Sequence, residues 1–244
     1  MEAIRIKDLT RRFGKRTAVD SLDLTIDRGE LFALLGQNGA GKTTTIRMLC
    51  GLLAPTEGDA VLMGKSVTTQ TGEVKQIINV SPQETAVASK LSVRENLEFV
   101  AEVYGFKGSE AKRKAAEMME AFSLTDRAND RAKSLSGGMQ RRLSIAMALI
   151  SEPEILFLDE PTLGLDVRAR KELWKHIQQL KGSMTIILTT HYLEEAEALA
   201  DRIGIMSAGK LTALGTAEQI KAAAGKDSLE EAFLELTEEE GETK

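Results

Sequence analysis

Leu31-Phe32-Ala33-Leu34-Leu35-Gly36-Gln37-Asn38-Gly39-Ala40-Gly41-Lys42-Thr43-Thr44-Thr45 decides how this chain is read. The run Leu31–Leu35 is continuously apolar, the pattern of a strand buried on both faces, and Thr45–Leu53 carries helical spacing. Between them lies G-x-x-x-x-G-K-[ST], in which each fixed residue has a mechanical reason. Gly36, Gly39 and Gly41 permit a tight turn whose backbone N–H groups converge on β- and γ-phosphates. The helix N-terminus adds positive potential, Lys42 neutralises phosphate charge, and Thr43 offers a hydroxyl to Mg²⁺. The stretch Gly36, Gln37, Asn38, Gly39, Ala40, Gly41, Lys42, Thr43 and Thr44 is therefore the expected cradle of a nucleoside triphosphate. An accidental glycine-rich turn would not be expected to have a strand before it and a helix after it.

The bulk composition sets limits on what surrounds that loop. With 244 residues and 42% hydrophobic content, the chain can bury a core as one domain, or as one domain carrying a smaller lobe. A net charge of −5, from 32 basic against 37 acidic residues, argues against a nucleic-acid binder that works by phosphate neutralisation. Arg11-Arg12, Lys112-Arg113-Lys114 and Arg141-Arg142 read as short solvated basic faces. The single Cys50 cannot form an intrachain disulfide and reads as a small buried hydrophobe in a reducing cytoplasm. No stretch approaches the roughly 18 apolar residues that span a bilayer, and Met1–Thr10 does not resemble a signal peptide. The chain is expected to be soluble by itself and, if it serves a membrane, to dock on a protein that spans it.

Strand patterns dominate the first third: Ala3–Ile6, Ser21–Ile26, Leu31–Leu35, Gly58–Gly64, and Ile77–Val80 before Ser81-Pro82. From Ser92 to Ile150 the spacing is helical, opening on a Ser92/Glu95 capping box, with Leu97, Val100, Ala101 and Tyr104 in one register and Ala115, Met118, Met119 and Phe122 in another. The apolar strand Ile155–Leu158, the helix Val167–Lys181 and the strand Thr185–Leu188 then imply a parallel sheet. Gly204–Met206 and Leu211–Leu214 suggest final strands, Ser228–Leu236 an amphipathic helix with its own Ser228/Glu231 box, and Glu238–Lys244 a frayed acidic tail. The expected class is α/β, with a mainly parallel sheet, an antiparallel layer and an inserted α-helical lobe.

Asp159-Glu160 follows directly on Ile155–Leu158, placing two carboxylates at the carboxyl end of a parallel strand, where ligands of open α/β folds bind. Such a pair divides labour: Asp159 holds Mg²⁺, directly or through water, and Glu160 orients or deprotonates the attacking water at the γ-phosphate. Without the phosphate loop the same pair would read as an ordinary turn. His191 ends another strand and can contact the γ-phosphate, whereas His176, inside the Val167–Lys181 helix, reads as a surface residue. Leu135-Ser136-Gly137-Gly138-Met139-Gln140 offers a second exposed helix N-terminus, with Ser136 and the amides of Gly137 and Gly138 aimed at an anion. A short lobe can hardly fold back onto its own chain's phosphates, so the expected user is another subunit.

At this point the chain resembles the nucleotide-binding subunit of ATP-binding cassette (ABC) transporters, in order and over nearly its whole length. Gly36–Thr44 matches the Walker A loop, Gln83 the Q-loop glutamine, Leu135–Gln140 the signature, Ile155–Glu160 Walker B with its terminal glutamate, Leu165-Asp166 the D-loop and His191 the switch histidine. Phe13 falls where the family stacks an aromatic on adenine, usually a Tyr; a plain core or turn aromatic is the alternative. Val167 after Asp166, where Pro is usual, and Leu163, where a small polar residue is commoner, depart from the pattern in the subunit-facing loop. The stretches Thr43–Leu49, Thr189–Glu197 and Ser228–Phe233 look like the bacterial branch that exports drugs, polysaccharides, sodium or haem-related cargo.

The resemblance implies a P-loop NTPase (RecA-like) fold in a single ABC ATPase domain. Residues 1–85 and 152–220 would form the nucleotide-binding core, 86–151 the helical lobe, and 221–244 a C-terminal helix and acidic tail. It implies ATP and Mg²⁺ as cofactors, with Glu160, His191, Lys42 and Gln83 catalytic and Thr43, Gln83 and Asp159 around the metal. Its partners would be a second copy of the chain, or a close paralogue, that sandwiches ATP between Walker A and signature, together with integral membrane permease subunits, at the cytoplasmic face of the cell membrane and without nucleic acid. A permease helix would rest beside Gln83–Asn96, with Ala86, Val87, Ala88, Leu91 and Val93 as apolar contacts or as plain loop packing. A single-cassette ATPase of a soluble assembly complex is the alternative. A GTP switch lacks a guanine-recognition segment.

Overall fold

The structure is a computed structural model that describes residues 1–237; the tail Glu238–Lys244, expected to fray, lies outside the described residues. By its contacts the chain forms two compact units, one from Met1–Ile77 joined by the chain from Lys181 onward, the other Ile78–Leu180.

The first unit opens with the hairpin β1 (Glu2–Phe13) and β2 (Arg16–Asp27), followed by β3 (Leu31–Gly36), α1 (Lys42–Leu49), β4 (Glu57–Leu62), β5 (Lys65–Ser66) and α2 (Thr71–Ile77). The expected antiparallel layer is the sheet β2-β1-β4-β5. β3 is buried at every position, as its unbroken apolar run requires. Helix α1 begins at Lys42 rather than Thr45, because Gly41 already serves as its N-cap, and it stops at Leu49. Leu52, expected inside that helix, is instead 66% exposed in the following turn. Cys50 is buried, as expected. Helix α2 was not expected from the sequence: it is a short segment with Val74 as its one buried residue, too little apolar surface to leave a periodic signal.

The second unit runs through β6 (Ile78–Ser81), α3 (Val93–Val103), α4 (Ser109–Ala121), α5 (Gly137–Leu149), β7 (Ile155–Asp159) and α6 (Val167–Leu180). Strands β6 and β7 pair in parallel, with Ser81 opposite Leu158. The capping box at α3 is present: Ser92 Oγ accepts from the Glu95 N–H at 3.2 Å, and the Glu95 carboxylate accepts from the Ser92 N–H at 2.7 Å. That backbone hydrogen bond holds the Glu95 carboxyl below the usual carboxylate range. Leu97 and Ala101 of α3, Ala115 and Met119 of α4, and Leu143 and Ile145 of α5 are all buried, whereas Tyr104, read in the α3 register, is the 46% exposed C-cap of that helix.

Three readings of charged residues are corrected here. His176 is not a plain surface residue: its ring stacks on Phe122 with centroids 5.3 Å apart, and burial followed by the nearby Arg142 pushes it below the usual imidazole value. Lys114, read as part of a solvated basic run, is 6% exposed, pairs with Glu152 and lies over the Phe106 ring at 4.2 Å. Arg141, likewise read as solvated, is 3% exposed.

The chain then returns to the first unit with β8 (Thr185–Thr190), α7 (Leu193–Leu199), β9 (Arg202–Ser207), β10 (Lys210–Gly215), α8 (Ala217–Ala224) and α9 (Leu229–Thr237). β3 lies between β8 and β9, parallel to both, and β10 pairs antiparallel with β9. Helix α8 was missed, although Thr216 and Gln219 form a full capping box at its start. It spans residue 220, where the sequence partition placed a boundary. Ile220 of α8 and Leu229, Ala232 and Phe233 of α9 share a buried cluster with Ala33 and Leu35 of β3 and with Ile203 and Ile205 of β9.

Asn96 fixes the loop between β6 and α3. It is 1% exposed; its Oδ1 accepts from the Ala88 N–H at 2.8 Å, and its Nδ2 lies 3.2 Å from the Ala88 carbonyl and 2.8 Å from that of Ser92. Replacing it by Ala takes the acceptor from the Ala88 N–H and removes the side-chain bonds to the Ala88 and Ser92 carbonyls, so Asn96→Ala is expected to lower unfolding free energy by about 1–2 kcal/mol in a urea titration. A midpoint equal to that of the parent chain would contradict this account of the loop.

Candidate functional site

In the first unit, β3 and β8 are in parallel register with Leu35 opposite Thr190, so the phosphate loop and His191 leave the sheet from one edge. This arrangement follows from two apolar strands ending in step. The loop is tightly built. Gly41 has φ 108°, and a Cβ there would lie 2.5 Å from the carbonyl of Ala18, so an L side chain is excluded by both torsion and space. The Lys42 ammonium, 5% exposed, folds back on the loop, donating to the carbonyl of Gly36 at 2.8 Å and to that of Gln37 at 3.2 Å. Thr45 anchors the first helical turn by donating from Oγ1 to the Gly41 carbonyl at 3.0 Å.

Phe13 ends β1 opposite Arg16 and is 47% exposed, which excludes the reading of a core aromatic. The Arg11 guanidinium lies 4.5 Å from its ring centroid. One face is thus held by a cation, which orients the ring. The His191 ring contacts Tyr192 with centroids 4.1 Å apart, and Tyr192 donates its N–H to Thr190 Oγ1 at 2.9 Å, fixing the turn at the strand end.

In the second unit, β6 leads into Gln83, and β7 closes on Asp159 beside it. Asp159 and Glu160 are each 6% exposed, and Glu160 takes φ 48°, the left-handed conformation that is uncommon for a residue other than glycine. Its carbonyl accepts from the Leu163 N–H at 3.2 Å. Asp166 caps α6, accepting at Oδ1 from the N–H groups of Arg168 and Ala169, both at 2.9 Å.

Ser136 is the N-cap of α5, its Oγ accepting from the Met139 N–H at 3.3 Å, and it stays exposed together with Gly137. Gly138 has a packing reason as well: a Cβ there would approach Ala169 Cβ at 2.9 Å. Arg141, one turn further on, donates through Nη1 to the carbonyls of Pro82 and Gln83 and through Nη2 to that of Asp159 at 2.9 Å. The sequence reading missed this residue. Its signal was the helical spacing to the apolar Ile145 and Ala148, which places Arg141 on the buried face of α5.

The structure therefore gathers the expected residues in two sets. Phe13, Gly36–Thr44 and His191 belong to the first unit; Gln83, Ser136–Gly138, Asp159 and Glu160 belong to the second. Among the described residues no cluster of His, Cys, Asp or Glu forms a metal cage, and no helix is long and apolar enough to cross a membrane. The oxygen donors Thr43, Gln83 and Asp159 are of the hard type that Mg²⁺ accepts when phosphates and waters complete its shell.

An α/β fold with a glycine-built phosphate loop on one parallel strand and a carboxylate pair closing another is that of a P-loop NTPase. The chain belongs to the ABC transporter family, whose model matches residues 19–163. It is 41% identical over 239 residues to the probable multidrug ABC transporter ATP-binding protein YbhF of Escherichia coli, covering 96% of this chain and 41% of that one. To the linearmycin resistance ATP-binding protein LnrL of Bacillus subtilis it is 40% identical, covering 93% of this chain and 73% of the other. To the daunorubicin resistance ATP-binding protein DrrA3 of Streptomyces coeruleorubidus it is 42% identical, covering 93% and 72%. A solved structure of an ATP-binding subunit of an ABC transporter superposes with TM-score 0.85 at 30% identity, covering 97% of this chain and all of the other.

Gly41→Ala tests the loop geometry. Forcing a Cβ against the Ala18 carbonyl is expected to weaken binding of a fluorescent ATP analogue by about tenfold or more, the loss of a few charge-assisted hydrogen bonds. Parent-like affinity in that titration would mean the loop does not cradle phosphate.

Proposed function

We propose that this chain is the ATP-hydrolysing motor subunit of a membrane exporter. The observation that carries the reading is the phosphate loop and His191 leaving one edge of adjacent parallel strands, the side on which open α/β sheets take their ligands. The relatives named for drug resistance support export, with cargo chosen by a partner. Residues 1–85 and 152–220 act as the nucleotide-binding core, 86–151 as the helical lobe and 221–244 as a C-terminal appendage.

Phe13 stacks on adenine with its face away from Arg11, and the amides of Gly36–Thr44 receive the phosphates. Lys42 exchanges its two loop carbonyls for phosphate oxygens, a swap that needs no new desolvation of its charge. Thr43, Asp159 and Gln83 hold the Mg²⁺ that arrives with ATP and that offsets charge on the departing γ-phosphate. Glu160 orients and deprotonates the attacking water, and His191 donates to the γ-phosphate. The exposed Ser136-Gly137-Gly138 terminus caps the nucleotide bound to a second copy of the chain or a close paralogue, so hydrolysis releases the pair.

The chain sits at the inner face of the cell membrane through permease subunits. In the second unit Ala86, Phe99, Val103, Tyr104 and Met147 line a surface groove, with Phe99 58%, Val103 67% and Tyr104 46% exposed, and a permease helix would rest there. Val93, expected among those contacts, is fully buried in the core instead.

Glu160→Gln is expected to bind ATP as the parent does, to turn over at least a hundredfold more slowly, on the order of the loss of a positioned catalytic base, and to accumulate as an ATP-bound dimer in size-exclusion chromatography. Ordinary phosphate release by that variant would remove Glu160 from the mechanism. Ser136→Arg should bind ATP as a monomer yet fail to dimerise or hydrolyse. Full activity there would exclude capping in trans.

A further inference from the structure

We propose that Arg141 is a positioning residue, locking Gln83 and the Asp159-Glu160 turn to the first turns of α5 so that engagement of Ser136 at the start of that helix sets both groups for hydrolysis. The inference rests on the proposed roles of Gln83, Asp159 and Glu160 and adds the part that holds them in register.

The argument starts from two neighbouring strand ends. β6 stops at Ser81 and β7 at Asp159, and beyond these points the ladder no longer satisfies backbone carbonyls. A single guanidinium takes up the carbonyls on both sides: Nη1 serves Pro82 and Gln83, the latter at 3.3 Å, and Nη2 serves Asp159 at 2.9 Å. At 3% exposure such a charge is tolerated only because it is richly hydrogen-bonded. The planar fork fixes the angle between its two arms, and a lysine, with donors on one point, cannot span both ends.

These three contacts all go to backbone oxygens. Through them the main-chain origins of Gln83 and Asp159 are held in place. A second tie runs beside the first: Ser144 of α5 and Ser81 of β6 place their hydroxyls 3.1 Å apart. At its other end α5 carries Ser136 as N-cap, and Gly138 lets the helix approach Ala169 of α6. A small rotation of α5 on loading Ser136 therefore moves the carbonyls that Arg141 grips, and displacements well under a helical turn suffice to govern a reaction that depends on aligned water.

The test uses the full chain with and without substitution. Arg141→Met retains length and burial but removes the fork. It should bind the fluorescent ATP analogue within about threefold of the parent and keep KM, while kcat falls about a hundredfold, the cost of a misplacement near one ångström. Arg141→Lys should recover less than about a tenth of kcat, since one arm is restored at most. Because Arg141 acts through Gln83, Arg141→Met/Gln83→Ala should be no slower than Arg141→Met within about threefold. Parent-like kcat in Arg141→Met, ATP affinity lost in step with activity, or multiplying effects in the double variant would each overturn the proposal. If Arg141→Met loses cooperative thermal unfolding, Arg141→Lys carries the test: reduced kcat at unchanged KM supports it and full kcat refutes it. Glu160→Gln run in parallel separates the two readings. Turnover there defeats the site assignment itself, whereas inactivity there with a fully active Arg141→Met defeats only the inference drawn here.

Discussion

Parallel strands end with backbone groups that have no further ladder partner, and the groups proposed for chemistry are built on such ends or on the helix termini beside them. At the end of β3 the chain turns through Gly39 and Gly41, both at positive φ, into the loop proposed as an anion cradle. At the ends of β6 and β7 the leftover carbonyls face Arg141. In the proposed reading, strand ends have two opposite uses: one presents amides to a negative ligand, and the other has its carbonyls closed by a resident positive charge. The first end stays open to chemistry, and the second is made rigid so that Asp159 and Glu160 project from a fixed base.

The sequence discloses the first use more readily than the second. A cradle of amides needs glycine at fixed intervals beside a lysine, a pattern that survives in one dimension, and the apolar runs Leu31–Leu35 and Ile155–Leu158 announce their strands because both faces are buried. Arg141 leaves a fainter trace, its helical spacing to Ile145 and Ala148. Its partners are backbone carbonyls far away in sequence, and next to Arg142 it reads as surface charge. Lys114 and His176 were misread for the same cause: composition counts charge, whereas burial depends on which face of a helix meets Phe106 or Phe122. Helices α2 and α8 were missed because short helices carry little periodicity, though the Thr216/Gln219 box at α8 was there to be read.

Several positions answer to two demands at once, and this bears on how variation in them is read. Gly138 belongs to the proposed nucleotide-capping terminus, yet a Cβ there already collides with Ala169. Asp166, in the loop expected to face a second subunit, is the N-cap of α6. Loss of activity on changing either residue would report folding as readily as function. Ser136 is more informative: its Oγ caps α5 through a 3.3 Å contact, a modest bond on the exposed end of the helix.

Lys42 carries the same logic into ligand binding. A buried ammonium costs free energy unless it is hydrogen-bonded. The Lys42 ammonium, 5% exposed, donates to the carbonyls of Gly36 and Gln37 at 2.8 and 3.2 Å and lies folded onto the loop. In the proposed nucleotide-bound state Lys42 would turn from those carbonyls toward phosphate, so each state of the loop would satisfy a different subset of its polar groups. The preference for the occupied state then comes from the difference between a neutral carbonyl and an anionic oxygen as acceptor, a charge-assisted bond in place of an ordinary one. That difference grows with the charge on the ligand, which is how a loop with no contact to the base can favour a triphosphate over a diphosphate.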